Sequence, residues 1–592
     1  MNRSTLARRY APIVGLAVLQ LLIIGFVPSK AAKNDAAQVA TRGGAAASGA
    51  TSSKAGAAGP GGATTPGAAV SGPAGAAIAG PGGSAGTGGG GTDSAAPPGA
   101  EASGDTSHCV NGREFDPAIA YWAPPCVPGT PGAAAGNNGG ATYQGVSGDT
   151  ITLVDYISNY GAEVNAILQA QGTLLTYEDA KVLDAAWMNF INTHYVLYGR
   201  KVNIVTYQGK CQSVPPDYPC LISEMDSIVA TYSPYAVNWQ TTLCSACYQE
   251  LARLKVVAVG GTGFSDSLAG ALAPFFYGAG ESSTRVEQAF AELYCSQMTG
   301  PVKFAGHQNP AQDFNGKPRV LGIISTNDPD NEDTVLKFLV PLLKQTCGVT
   351  VDHFYFYDQD INTAAKQVAA GIAAMDTLNN PATTVLCLCD QVAPAFLFDG
   401  EQSNNYYPEN VIATNQQMDI ETTGQSYGPN DDGSGSLGCP SPQLGCEYDL
   451  AFGISIVGAP EPQDNTVGVR IFKDGSGGGA LPGGVTGINA SLIAQEWVML
   501  ANLIEAAGPN LTPDTMAAQA GSLGNVGSGT DSVLGFSNGS GYWTQDARLV
   551  YWNRNQPSPY NGKKGTYIQV GDRANLGGWG AARYADIPEV RS

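Results

Sequence analysis

Few residues of this chain have the type and spacing to do acid–base or group-transfer chemistry. It carries 4 histidines, His108, His194, His307 and His353, with no H-E-x-x-H pair and no phosphate-binding loop. Gly535-Phe536-Ser537-Asn538-Gly539 matches the nucleophile elbow G-x-S-x-G, but that machinery needs an Asp and then a His downstream. No histidine follows His353, so the motif reads as a turn. Gly82-Gly83-Ser84-Ala85-Gly86 has the same pattern inside a low-complexity stretch. The acidic run Asp328-Pro329-Asp330-Asn331-Glu332-Asp333 would suit calcium, except that Asp333 stands where an EF-hand loop requires glycine. Helix capping and dipole complementation fit it better. Catalytic residues, metal ligands and a cofactor are therefore not expected.

The 12 cysteines form an even set, all in the later part of the chain. In an exported protein such a set favours disulfides. Cys109 with Cys126, and Cys439 with Cys446, can close small loops. Cys211, Cys220, Cys244, Cys247, Cys295 and Cys347 are expected in disulfides as well. Cys244-x-x-Cys247 lacks the second pair that a zinc ribbon needs, and Cys387-x-Cys389 has the wrong spacing within an apolar run.

Export itself is read at the N-terminus, where Arg3, Arg8 and Arg9 precede an apolar run from Tyr10 to Val27. Residues 1–30 are either a cleaved signal, with Ser29-Lys30-Ala31 as the small-residue site, or a retained signal anchor. The run falls just short of the ~20 residues of a spanning helix. Residues 31–107 are almost entirely Ala, Gly, Ser, Thr and Pro, a composition expected to stay disordered and act as a tether. A Cys-containing linker follows over 108–144. The net charge of −20, with 30 basic residues, argues against a nucleic-acid partner. The expected location is extracytoplasmic, secreted or held at the membrane by the N-terminal segment alone.

From residue 145 short apolar strands alternate with amphipathic helices. Ile151–Ile157 reads as a strand, and Thr176 can cap a helix carrying Leu183, Ala186, Trp187, Phe190 and Ile191, with Gly199 ending it. Strands at Val202–Tyr207, Tyr235–Trp239 and Val256–Val259 follow. The alternation restarts with a strand at Arg319–Ser325 and a helix at Glu332–Gln345. Further strands fall at Val351–Tyr357, Thr383–Leu388, Val411–Thr414 and Phe452–Val457. A helix at Ser491–Ala507, another after Leu511-Thr512-Pro513, and a Tyr-rich strand-like tail complete the chain. Repeated β-α-β units predict parallel sheets covered on both faces, and two series predict two lobes.

Several segments carry a resemblance. They are Gly145-Val146-x-x-Asp149-Thr150-Ile151-Thr152-Leu153, Tyr198-Gly199-Arg200-Lys201-Val202, Val256-Val257-Ala258-Val259-Gly260-Gly261-Thr262 and Arg319-Val320-Leu321-Gly322-Ile323-Ile324. In this order the chain resembles the leucine, isoleucine and valine-binding family of type I periplasmic binding proteins. The resemblance implies an α/β fold of two Rossmann-like lobes with parallel central sheets, joined by a multi-strand hinge. Lobe 1 would span 145–278, with part of about 460–540 returning to it, and lobe 2 would span 279–459 with part of about 541–592. It also implies a bridge from Cys211 to Cys244 or Cys247.

The implied function is extracytoplasmic capture of a small polar solute, amino acid-like, an amide or a peptide, without catalysis. The implied partner is a membrane permease of an ABC-type importer, and the alternative is a membrane-tethered sensor or adhesion module. Ligands of open parallel sheets bind beyond the carboxyl ends of the strands. Those loops offer Asn159, Tyr160, Gln240, Thr241, Thr242, Gly261, Thr262 and Gly263 in the first lobe. In the second they offer Asp328, Asp330, Asp390, Gln391, Asn415 and Gln416. Amino acid-binding relatives place an aromatic and a carboxylate where this chain has Asp330 and Gln416, so a branched-chain amino acid is disfavoured.

Overall fold

A computed structural model describes residues 104–133, 136–239, 244–260, 263–306, 314–413, 417–537, 539–574 and 584–588. The expected export signal, and all but the end of the expected tether, lie outside these residues.

In the first lobe, β1 (Thr150–Asn159), β2 (Lys201–Gln212), β3 (Ala236–Trp239), β4 (Val257–Gly260) and β5 (Phe276–Gly278) form a parallel sheet in the order β2-β1-β3-β4-β5. Its inner strands are buried on both faces, while the edge strand β2 alternates exposed and buried residues, so each face of the sheet must be covered. Leu153, Val257 and Val259 share one core with Leu183, Trp187 and Phe190 of α2 (Tyr177–His194). Val154, Val237 and Ala258 point the other way, into a core with α3 (Tyr218–Tyr232) and α4 (Ser245–Arg253). α1 (Gly161–Ala170) and α5 (Asp266–Leu272) fill connections between strands. Thr176 caps α2 by accepting the Asp179 N–H at 3.2 Å. The helix ends at His194, before Gly199; the turn into β2 is made by Tyr198 and Gly199, with φ of 55° and 82°.

The second lobe opens with α6 (Ser283–Gln297). Its sheet has the order β12-β11-β10-β9-β8-β6-β7. β6 (Leu321–Thr326), β7 (His353–Tyr357), β8 (Thr384–Leu388), β9 (Glu409–Ala413) and β10 (Phe452–Ser455) are parallel. β11 (Ala547–Pro557) and β12 (Lys564–Ala574), the Tyr-rich tail, add antiparallel strands. After β6 the helix starts earlier than the pattern predicts, as α7 (Pro329–Thr334), because Asp328 caps it and Pro329 suits the first turn. It continues through a π turn at Val335–Leu339 into α8 (Val340–Cys347). α9 (Ala364–Met375), α10 (Ala393–Ser403) and α11 (Glu421–Ser426) complete this lobe.

Between β10 and β11 the chain returns to the first lobe as α12 (Val467–Gly475), α13 (Gly487–Ala507) and α14 (Pro513–Gln519). Residues of all three join the core beside Leu153. The two lobes are therefore joined by three crossings, after β5, after β10 and before β11. Hydrogen bonds tie the crossings together: Thr544 N–H to Gly280 O at 3.2 Å, Ala459 N–H to Thr530 O at 3.0 Å, and Ser532 Oγ to Ile456 O at 2.9 Å. Two α/β lobes on a multi-strand hinge are the architecture that the resemblance implied.

The segment ahead of the first strand packs as part of this body. Phe115, Ala120, Trp122 and Ala123 are buried in the first lobe's core. Glu114, 1% exposed, accepts the N–H groups of Val127 at 2.8 Å and Val196 at 3.0 Å.

Disulfides join Cys109–Cys126, Cys211–Cys220, Cys244–Cys247, Cys295–Cys347, Cys387–Cys389 and Cys439–Cys446. This corrects the bridge implied from Cys211 to Cys244 or Cys247. Cys220 opens α3 beside the end of β2, 5.6 Å from Cys211 between Cα atoms, while Cys244 and Cys247 pair at the start of α4. Cys387 and Cys389, absent from the expected set, pair at the end of β8.

Candidate ligand cleft

The carboxyl ends of both sheets and the hinge face a cleft of about 400 Å³. The first lobe contributes Tyr160 after β1, Leu168 of α1 and Leu492 of α13. The second contributes Tyr355 and Tyr357 of β7, Asp390 and Gln391 after β8, and Phe396 of α10. The hinge contributes Ile456–Glu461, and the N-terminal segment contributes Tyr121 and Trp122. A concave, mostly apolar site with a few converging polar groups is the usual form of a small-ligand pocket.

The lobes touch beside this space. Gln171 Nε2 of the first lobe donates to Gln391 O of the second at 2.8 Å. Ser265, which caps α5, donates its N–H and hydroxyl to Asp330 at 2.7 and 2.6 Å, and Ser245 Oγ lies 3.4 Å from Asp328.

The predicted loop residues divide accordingly. Tyr160, Asp390 and Gln391 line the cleft. Asp390 has both oxygens engaged: one accepts the N–H groups of Val392 at 2.7 Å and Ala393 at 3.0 Å, the other the Tyr357 hydroxyl at 2.7 Å. Gln391 keeps its side-chain oxygen unpaired and buried. Asn159 is exposed and donates to Lys210 O at 3.4 Å, toward β2. Gly263 precedes the buried Phe264 and is not on the cleft wall. Asp328 and Asp330 face the other lobe. Gln240, Thr241, Thr242, Gly261, Thr262, Asn415 and Gln416 lie outside the described residues.

Several charged residues of the wall, Glu496 and Arg548 among them, were not among the candidates. Glu496 of α13 is 4% exposed, and its Oε2 has no hydrogen-bond partner. Burial pushes its carboxyl up to about 8, so it is largely protonated at neutral pH. A carboxylate inside the stretch Leu492–Leu500, where Gln495 is the one other polar residue, was its sequence signal. Arg548 of β11 is 1% exposed and donates from Nε to Ser455 Oγ at 3.4 Å. Burial, then the neighbouring Arg573, pulls its guanidinium down to about 10, leaving it charged at neutral pH. It lies outside the β-α-β series from which candidate loops were drawn.

No histidine is among the described residues of the wall. Ser537 of the G-x-S-x-G motif contacts Gln545 Oε1 at 3.4 Å. His194 contacts Asp474 at 2.6 Å, and His353 contacts Ala374 O at 2.8 Å. One group with metal-ligand residue types occurs among the described residues, His108, Cys109, Glu114 and Cys126, but its two cysteines are joined in a disulfide. Among the described residues no helix is long and apolar enough to cross a membrane.

No protein-family model and no curated protein matches the chain. Solved structures are similar to it. A fatty acid ABC transporter substrate-binding protein from Thermomonospora curvata has 14% identity, a TM-score of 0.47, and coverage of 77% of this chain and 99% of its own. An ABC transporter solute-binding protein from R. palustris, in complex with 4-hydroxybenzoate, has 12% identity and a TM-score of 0.46 over 72% of this chain and 98% of its own. An amino acid ABC transporter substrate-binding protein from Pseudomonas fluorescens has 11% identity and a TM-score of 0.45 over 72% and 96%. The likeness is distant. It leaves the cleft's own residues to carry any reading of function.

Proposed function

We propose that the chain is an extracytoplasmic solute-binding protein that captures a small molecule between its two lobes without transforming it. The observation that carries this reading is the placement of one cleft at the carboxyl ends of both sheets and against the hinge. A solute held there touches both lobes at once, so it favours the arrangement in which they meet by the difference in contacts. The cleft loops hold Asp390 and Gln391 as part of the wall, with Tyr160 opposite. Six disulfides and the N-terminal apolar run support an oxidising, extracytoplasmic setting.

Once the solute is captured, its delivery to a membrane permease of an ABC-type importer is the first reading. A tethered sensor is the second, and one observation favours it: Tyr121 and Trp122, from the segment that leads back to the expected tether, line the cleft. A thermal-shift screen of the full chain against amino acids, amides, polyamines, short peptides, sugars and carboxylates tests capture itself. A ligand that binds only the folded form at 100 times its dissociation constant adds about 2.7 kcal/mol of stability. A panel that leaves the melting temperature unmoved would remove the proposal's basis.

A further inference from the structure

The arginines of this protein that are buried away from the cleft have partners. Arg319 is paired with Glu409 at 2.9 Å and also donates to Thr384 Oγ1 at 3.1 Å and Tyr584 Oη at 2.9 Å. Arg573 is paired with Asp546 at 2.8 Å and donates to Val457 O at 2.8 Å. Arg200 donates to the backbone oxygens of Asn138, Gly140, Ser147 and Pro509, all within 3.0 Å. This is what a charge withdrawn from water requires.

Arg548 is the exception. Register sets it opposite Ser455, the last residue of β10, at the carboxyl edge of the second sheet. Its hydrogen bond among the described residues is the long one from Nε to Ser455 Oγ, 3.4 Å. A guanidinium has five N–H donors in a planar fork, so most of this one's capacity is unused. Two carboxylates influence it without forming an ion pair. Asp419 accepts the Ile456 N–H at 3.1 Å. Glu421 accepts from Thr566 Oγ1 at 3.1 Å and the Tyr567 N–H at 2.9 Å, with its second oxygen unpaired. Burial raises both carboxyls above their usual range, which weakens them as counter-charges. Among the described residues of the cleft wall Arg548 is the only cation. The same wall carries the apolar Leu168, Ile324, Phe396, Ile456, Ile488 and Leu492, and also the carboxylates Asp358, Asp360, Glu461 and Asp531.

We propose that Arg548 anchors the carboxylate of a solute whose remaining body is hydrocarbon or aromatic. This rests on the solute-binding reading above and names the ligand class for the same cleft. The open fork matches the two oxygens of a carboxylate, and a charge-assisted pair inside a low-dielectric cleft is stronger than one in water. Glu496, mostly neutral on the same wall, does not repel such an anion and offers a hydrogen-bonding group to it. Asp390 does not compete for the fork, since backbone N–H groups and the Tyr357 hydroxyl occupy its oxygens.

The test is a thermal-shift and calorimetric comparison of the full chain with benzoate and octanoate, their amides, and benzylamine and octylamine. The carboxylates should raise the melting temperature, and the amides and amines should not. Arg548→Met should weaken carboxylate binding about 100-fold. Unliganded, the same variant should melt at or above the parent temperature, because removing an unpaired buried charge relieves a penalty. Arg548→Lys should retain part of the binding, as a point charge without the fork. Equal binding of amides or amines, carboxylate binding that survives Arg548→Met, or an unliganded variant that melts well below the parent would each overturn the assignment. Solutes from the wider panel that bind when every carboxylate fails would sink this inference and leave solute capture standing. Silence from the whole panel would sink both.

Discussion

At the scale of single residues, burial decides which candidates can meet a solute. Asp390 was legible because it follows an apolar strand, and it is on the cleft, but its oxygens are used to hold the start of α10. Arg548 was not legible, because an arginine that begins a strand looks the same in sequence whether it faces water or a cavity. Buried acids have a consequence for pH. Burial pushes the Asp184 carboxyl up to about 7, although it accepts the Thr206 hydroxyl at 2.5 Å, and pushes Glu281, Glu401 and Glu496 up to about 8. Their unfolded values are near 4. Between these limits the native state holds protons that the unfolded chain has released, so stability falls as pH rises from about 4 to 8. Each group contributes about 1.4 kcal/mol per pH unit within its window. Asp184→Asn should therefore flatten the fall in melting temperature between pH 5 and pH 8, with its benefit at the alkaline end. Parallel pH profiles for variant and parent would show that Asp184 is ionised in the fold.

At the scale of elements, the alternation of strand and helix was readable because parallel strands buried on both faces are continuous apolar runs. Element ends were less readable. The helix after β6 begins earlier than its apolar periodicity, since Asp328 and Pro329 start it by capping chemistry rather than by packing. The returning helices depend on contacts no local pattern displays. α12 lies against α13 at Gly468, where an added Cβ would stand 2.2 Å from Ala490 C, and against α2 at Gly475, where it would stand 2.1 Å from Ala186 O. Both contacts are with backbone, which cannot step aside. Gly468→Ala should lower stability by roughly 1–3 kcal/mol, read by chemical denaturation. Thr486, the α13 cap, accepts the Asn489 N–H at 3.3 Å and donates to Gly172 O at 2.7 Å, so Thr486→Ala should cost about 1 kcal/mol. Unchanged midpoints for both would mean that the return segment is not seated as described.

At the scale of the whole body, repetition of the β-α-β series was enough to expect two lobes. Closeness in sequence was enough to pair Cys109 with Cys126 and Cys439 with Cys446, but not to pair Cys211 with Cys220, because that closure depends on where a strand end meets a helix start in space. Asp330 illustrates the same limit: a loop acid at a strand's carboxyl end suggested ligand contact, yet it binds Ser265 across the two lobes. That contact stabilises the arrangement in which the lobes meet. Asp330→Ala should therefore weaken solute affinity several-fold without removing a group from the cleft wall, as calorimetry would register. An unchanged affinity would mean that this contact does not favour closure.

A solute seated in this cleft is held by both lobes at once. Hydrogen exchange of the full chain, with and without the compound that raises its melting temperature most, tests this directly. Added protection is expected in the same experiment over 160–175 and 488–496 of the first lobe and over 355–361 and 389–393 of the second. Protection confined to one lobe, or to a surface away from the hinge, would contradict it.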